Sequence, residues 1–208
     1  MKEIREIKSI MMPLKMSNVD TDQIMPKQFL KRTERSGYGK YLFYDWRKDA
    51  NGNLNQEFPL NKEIYKEAKI LVAGPNFGTG SSREHAPWGL QDWGFDVVIS
   101  SNFADIFKNN CLNIGLVPIE VSEEILDKLF ELIETNPKTE LHISIENKTL
   151  SWPEVSIDFE LDDFSREKLL KGQDQIDITL EKSKEIEKFA SQRKALIPSL
   201  DYGAQSNP

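Results

Sequence analysis

The sequence has few of the residues that usually bind metal ions. Among 208 residues there are one cysteine, Cys111, and two histidines, His85 and His142. A single cysteine cannot form an internal disulfide, and these three residues lack the spacing of zinc or iron–sulfur ligands. We therefore predict that the chain binds no metal, and that any metal centre its function needs belongs to another chain. Cys111 is interpreted as a buried thiol rather than a nucleophile.

Long apolar runs and an excess of positive charge are also missing. No apolar stretch approaches the ~20 residues of a membrane span, and the N-terminal MKEIREIKSI alternates charged residues with isoleucine. The net charge of −7 opposes a nucleic-acid surface, which requires a basic face. We predict a soluble, cytoplasmic protein that binds neither membranes nor nucleic acids. Its length is sufficient for one domain with a proper core.

What the sequence does contain is a glycine-rich stretch from Gly74 to Gly89. It directly follows the apolar run Ile70 to Ala73, which predicts a buried strand. Gly78 and Gly80 allow a sharp turn at positions where a side chain would clash. This pattern predicts a strand that ends in a tight glycine loop.

The residues after the glycine loop, Ser81 to Glu84, are typical of a helix start. A serine oxygen can accept from the free N–H groups of a first helical turn. A strand, a glycine loop and a helix N-terminus together predict an anion site, where Arg83 adds donors for a carboxylate or phosphate. A simple capping role for Ser81 remains the alternative. Pro87 indicates that the first turn is short or distorted.

Three separated motifs carry a resemblance to a known family. They are NVDTDQIMPKQFL at Asn18 to Leu30, NFGTGSSREHAPWGL at Asn76 to Leu90, and FADIFKNNCLNIGLVP at Phe103 to Pro118. With DWR at residues 45–47 between the first two, they resemble the small subunit of bacterial 3-isopropylmalate dehydratase, which is similar to the swivel domain of aconitase. The match covers about the first 120 residues in the family's order.

The resemblance implies a fold and an assembly. The fold is an α/β, swivelling β/β/α domain that spans residues 1–208, with a core of about residues 1–165 and a helical C-terminal extension of about residues 166–208. The implied partner is a large subunit with a four-iron four-sulfur cluster, in a heterodimer or heterotetramer, while this chain binds no cofactor. The implied reaction interconverts 2-isopropylmalate and 3-isopropylmalate through an unsaturated diacid in leucine biosynthesis.

The resemblance also implies roles for individual residues. Ser81 matches the family's catalytic base, and Arg83 matches the arginine that binds a substrate carboxylate. The remaining expected site residues are Ser82 and Arg35 as substrate-binding groups and Asp22, Gly78 and Gly80 as supporting groups. Asp22 is expected to orient an active-site arginine. Two other functions stay open: a related dehydratase acting on citraconate, homoaconitate or dimethylmalate, and a non-catalytic anion-binding module.

Two segments leave alternatives open. Lys31 to Lys40 is basic and contains glycine, which favours an exposed, mobile loop that could act as a lid. Within or near it, Arg32 or Arg47 could replace Arg35 at the substrate. Asp20 and Asp22 are close enough to suggest a metal site, but turn formation and salt bridging explain them better.

The rest of the sequence predicts alternating strands and helices. An opening strand runs from Ile4 to Met12 and is ended by Pro13, and a hairpin surrounds Asn147-Lys148 as an added antiparallel layer. The other predicted elements are a helix at Phe103 to Asn110 with Phe103, Ile106 and Phe107 buried, a strand at Gly115 to Val121, a helix capped by Ser122, and a charged surface helix at Glu181 to Lys194.

Overall fold

The computed structural model describes residues 1–30, 35–174, 177, 179–180 and 183–191. The chain forms two compact units, Met1–Gln173 and Asp174–Pro208. The first unit contains the sheet, six α-helices and four short 3-10 helices among its described residues. In the second unit the described helix is α7, Ser183–Ser191, which falls within the predicted surface helix. No helix among the described residues has both the length and the apolar character to cross a membrane.

The described strands are β1 Glu6–Leu14, β2 Ile70–Ala73, β3 Val97–Ser100, β4 Val117–Glu120, β5 Glu140–Ser144, β6 Thr149–Trp152 and β7 Val155–Asp158. They form one mixed sheet in the order β4-β3-β2-β1-β5-β6-β7. Strands β1 to β4 run parallel to one another, while β5 to β7 are antiparallel to their neighbours. The hairpin expected as a separate layer therefore extends the same sheet, because β5 pairs directly with β1.

Helices cover both faces of this sheet, which confirms the predicted α/β class. They are α1 Thr21–Ile24, α2 Tyr44–Arg47, α3 His85–Trp93, α4 Asp105–Ile114, α5 Glu123–Thr135 and α6 Asp163–Lys171. In β2, Leu71 and Ala73 face a core that includes residues of α1, α3 and α4, while Ile70 and Val72 face a core that includes α5 and α6. All four β2 residues are buried, which explains their uninterrupted apolar run.

Pro13 does not end the first strand as predicted. It lies inside β1 and stands opposite Val72 of β2. On the other side of β1, β5 pairs only with Glu6 to Ile10. A proline N atom at this point therefore removes no hydrogen bond that β5 could accept.

Helix α4 is longer than predicted and turns a different face to the core. Phe107 and Cys111 are its buried residues, whereas Ile106 is 54% exposed. Phe103 precedes the helix and instead pairs with Phe77 in an isolated bridge. The helix after Ser122 is confirmed: the Ser122 hydroxyl accepts from the Ile125 N–H at 3.3 Å.

Candidate active site

The candidate site lies at the carboxyl edge of the parallel strands β1 and β2. The chain leaves β1 into residues 15–24 and leaves β2 into the glycine loop, so both segments meet at the same edge. The Gly78 N–H donates to the Val19 carbonyl at 2.8 Å. Crevices at such strand ends are the usual ligand sites of open α/β sheets.

The glycine loop requires glycine for two different reasons. Gly78 and Gly80 have φ of +80° and +91°, where other residues are strained. A Cβ on Gly78 would also lie 2.2 Å from the Cγ of Phe107. Gly80 instead has room for a Cβ, with the nearest atoms of Asp20 and Thr21 at 3.5 Å. Gly78 therefore allows α4 to pack against the loop, and both glycines set the path of the chain into Ser81.

The helix after the glycine loop starts at the end of the predicted stretch from Ser81 to Glu84, and neither serine caps it. Helix α3 begins at His85 with Glu84 as its N-cap, and no side chain caps it. Its first helical bond runs from the Trp88 N–H to the Glu84 carbonyl at 3.1 Å. Pro87 explains the late start, because in a helix its ring would crowd the carbonyl of Arg83. Ser81 is thus freed from a capping role.

Helix α1 supplies the carboxylate that pairs with Arg83. Asp22 Oδ1 accepts from Arg83 Nη1, and Asp22 Oδ2 lies 3.2 Å from Lys27 Nζ. The Arg83 side chain is only 15% exposed and that of Asp22 33% exposed. The pairing fixes the guanidinium through one nitrogen and leaves further N–H donors of the planar group for a bound carboxylate.

Asp20 has a structural role. Its carboxylate accepts from the Gln23 N–H at 2.7 Å, while the Gln23 side chain accepts from the Asp20 N–H at 2.8 Å. This capping box starts α1, as turn formation predicted. Within the described part of the chain, no group of three or more His, Cys, Asp or Glu residues is placed to bind a metal ion.

A cavity of about 240 Å³ brings most of the predicted site residues together. Ser81 and Ser82 are exposed on its polar wall beside Arg83, and Ile106 and Phe107 form part of an apolar wall. The full lining is Thr21, Gly78, Gly80, Ser81, Ser82, Arg83, Ala104, Asp105, Ile106 and Phe107. The lining combines donors that can bind a carboxylate with apolar side chains that can contact a hydrocarbon group.

Arg35 does not belong to the lining of this cavity. It is exposed, and its guanidinium carbon lies 5.7 Å from the centre of the Trp88 ring on α3. The predicted loop is anchored just beyond it, because Tyr38 is fully buried and its N–H donates to Asp92 at 2.8 Å. Residues 31–34, with Arg32 among them, lie outside the described residues.

Arg47, the other alternative, has a structural role. It is buried, its Nε donates to Asn61 at 3.1 Å, and its guanidinium lies 4.3 Å from the centre of the Trp93 ring. Burial lowers its pKa. The structure thus directs Arg47 into the core rather than toward the cavity.

Burial shifts the pKa of two groups that could act as a base or a nucleophile. Burial is the main cause that lowers the pKa of His85, whose ring packs against Tyr38 and Trp88. Complete burial raises the pKa of the Cys111 thiol well above its usual range. The prediction of a buried cysteine is confirmed by its position.

Sequence reasoning missed Thr21. This residue is 3% exposed, and its Oγ1 donates to the Ser81 carbonyl at 2.9 Å. Its own N–H donates to the Thr79 carbonyl at 2.8 Å. The sequence signal that could have identified Thr21 is its position next to Asp22 in a polar loop. Its hydrogen-bond partner, Ser81, lies 60 residues later in the chain.

Residues 1–124, which include the glycine loop, the exposed serines and the carboxylate-held arginine, match the aconitase C-terminal domain family. This match assigns the chain to the aconitase class of proteins.

Curated relatives specify the family further. The small subunit of 3-isopropylmalate dehydratase from Koribacter versatilis is 52% identical over 181 residues, covering 86% of this chain and 93% of the relative. The Bacillus subtilis small subunit is 49% identical, covering 86% and 90%. The crystal structure of 3-isopropylmalate dehydratase (leuD) from Methanocaldococcus jannaschii superimposes with a TM-score of 0.61 at 26% identity, covering 89% of this chain and 99% of that one. The chain belongs to the family of 3-isopropylmalate dehydratase small subunits.

Proposed function

We propose that this chain acts with a large subunit as a hydro-lyase that interconverts 2-isopropylmalate and 3-isopropylmalate in leucine biosynthesis. The supporting observation is the cavity whose polar wall carries Ser81, Ser82 and Arg83 side by side. A heterodimer or heterotetramer and a cytoplasmic location are parts of the same proposal.

Ser81 is the proposed base that removes the carbon-bound proton. A serine hydroxyl is a weak base unless nearby donors stabilise its alkoxide. Backbone N–H groups of the glycine loop and the cationic Arg83 are the candidates for this stabilisation. The start of α3 at His85 places the helix N-terminus several residues beyond Ser81, so its contribution is smaller than the sequence predicted.

Arg83 and Ser82 are the proposed ligands of a substrate carboxylate. The pairing with Asp22 keeps the guanidinium in one orientation before substrate arrives, which reduces the entropy lost on binding. Ile106 and Phe107, which also line the cavity, suit the hydrocarbon part of the diacid. Arg35 remains a proposed second cationic contact, from outside the cavity lining.

The departure of hydroxide requires a Lewis acid. The described residues do not form a binding site for a metal centre that could act as one. Their one cysteine is buried with a raised pKa, and they contain no cluster of metal-binding side chains. The proposed iron–sulfur cluster is therefore assigned to the large subunit, and the part of this chain is to bind the diacid and take its proton.

The test is the Ser81→Ala variant in the complex with the large subunit. Loss of a general base predicts a fall in turnover of ~100-fold or more, with an unchanged free energy of unfolding. The matched control is Ser122→Ala, which removes the cap of α5 and should cost about 1 kcal/mol of stability without loss of turnover. Near-native turnover of Ser81→Ala would remove Ser81 from the mechanism.

A further inference from the structure

Thr21 contacts the main chain on both sides of Gly80. Its N–H donates to the Thr79 carbonyl at 2.8 Å and its Oγ1 donates to the Ser81 carbonyl at 2.9 Å. Both of its hydrogen-bond donors are therefore used on the glycine loop. The residue is 3% exposed, so water has little access to replace these bonds.

We propose that Thr21 is a positioning residue that acts through Ser81. Gly80 has φ of +91° and no side chain, so the chain before Ser81 has few restraints of its own. The Thr21 hydroxyl fixes the carbonyl of Ser81 and thereby the direction in which the Ser81 side chain leaves the loop. This inference rests on the proposed role of Ser81 as the base.

The energetic reason is the steep dependence of proton transfer on distance. A base has to lie within hydrogen-bond reach of its proton, and a misplacement of about 1 Å can cost ~100-fold in rate. Ser81 lies on an exposed loop before α3 begins, and a loop is less precise than a helix as a support. The partly buried hydrogen bond that Thr21 donates from the capped helix α1 compensates for that.

Helix α1 then has two separable functions at the site. Thr21 positions Ser81, and the next residue, Asp22, holds Arg83. Because Ser81 is proposed to take the proton and Arg83 to bind the carboxylate, substitutions of Thr21 and Asp22 should affect different kinetic constants. Loss of the Thr21 hydroxyl should lower kcat, whereas loss of the Asp22 carboxylate should mainly raise KM.

The experiment compares Thr21→Ala with Thr21→Ser in the complex with the large subunit. These variants both lose the methyl group and differ only in the hydroxyl. We expect kcat of Thr21→Ala to be lower than that of Thr21→Ser by roughly tenfold or more, with KM values within about twofold of each other. Equal kcat values in the two variants would overturn the proposal.

A matched control removes a buried hydroxyl away from the site. Ser9 on β1 is 6% exposed, and its hydroxyl donates to the Ile10 carbonyl at 3.0 Å and accepts from the Lys69 N–H at 2.9 Å. Ser9→Ala should lower the melting temperature while kcat stays native. A fall in kcat as large as that of Thr21→Ala would mean that general loosening, not positioning of Ser81, is the cause.

A double mutant shows whether Thr21 acts through Ser81. In a Ser81→Ala background, adding Thr21→Ala should produce no further fall in the residual turnover. A further tenfold fall would overturn the inference. Near-native turnover of Ser81→Ala alone would instead remove Ser81 from the mechanism, and with it the basis of this inference. If Ser81→Ala is inactive while Thr21→Ala has native kcat, only the inference about Thr21 is wrong.

Discussion

At the scale of single residues, the candidate site depends on an arginine that already has a partner. Asp22 binds Arg83 with one oxygen and Lys27 with the other, and Lys27 is far more exposed than Arg83. The exposed contact contributes little because water screens it, while the better shielded contact with Arg83 restricts the guanidinium. The value of the pair is therefore orientation more than stability.

The Arg83→Lys variant tests this orientation. We expect kcat/KM to fall strongly, by about tenfold or more, because an ammonium group cannot supply two parallel N–H donors to a carboxylate while it also contacts Asp22. The control is Arg5→Lys, which alters an exposed pair with Glu3 and should leave kcat/KM unchanged. An unchanged value in Arg83→Lys would place the substrate carboxylate elsewhere.

Cys111 provides a prediction about pH. Because burial raises its pKa in the folded protein, little thiolate exists at about pH 8, where an unfolded cysteine is partly ionised. We expect a thiol reagent to leave the native chain unmodified and to modify this cysteine rapidly in strong denaturant. Rapid reaction of the native chain would show that α4 opens readily or that the thiol is less protected than its burial indicates.

At the scale of elements, the sequence correctly predicted the helices and strands that depend on contacts between neighbouring residues. Ser122 and the apolar spacing that follows it were sufficient for α5, because a cap and one helix face are properties of neighbouring residues. The start of α3 could be predicted only to within Ser81 to Glu84, because several residues there fit a cap pattern. Pro87 indicated a short or distorted first turn, and the helix begins at His85.

The contacts of the site residues were also harder to predict where they join distant parts of the chain. That Asp22 would orient an active-site arginine was expected from the resemblance, but the pairing with Arg83 spans 61 residues and no local pattern encodes it. The buried orientation of Arg47 was likewise unpredictable, because Asn61 and Trp93 are brought to it by the fold.

Two glycines of similar conformation provide a test of the glycine loop. Gly52 and Gly78 have φ of +83° and +80°, but a Cβ meets no atom within 4 Å at Gly52 and collides with Phe107 at Gly78. Gly52→Ala should cost about 1–2 kcal/mol from backbone strain alone. Gly78→Ala should cost roughly 2–5 kcal/mol, because overpacking adds to the strain. Equal losses in chemical denaturation would show that α4 moves away freely.

At the scale of the whole molecule, the first unit has its own core on each face of the sheet. The described residues thus contain the cores and the proposed diacid site, but no group of side chains placed to bind the Lewis acid that the proposed reaction requires. In the proposed mechanism this chain removes the proton, and its partner promotes the departure of hydroxide.

The purified chain should therefore be folded, colourless and inactive by itself. Circular dichroism should report a cooperative unfolding transition, and the visible spectrum should lack iron–sulfur absorption. Anaerobic mixing with a cluster-bearing large subunit should produce interconversion of the isopropylmalates. Comparable activity of the metal-free chain alone would contradict the two-subunit mechanism.

The position of β1 in the middle of the sheet has a consequence for synthesis on the ribosome. This early strand pairs with β2 about 60 residues later and with β5 about 130 residues later. At ~5–20 residues per second, β1 is translated roughly 7–26 s before β5. During that interval one edge of an apolar strand has no partner, which makes the nascent chain a natural client for chaperones that bind exposed strands.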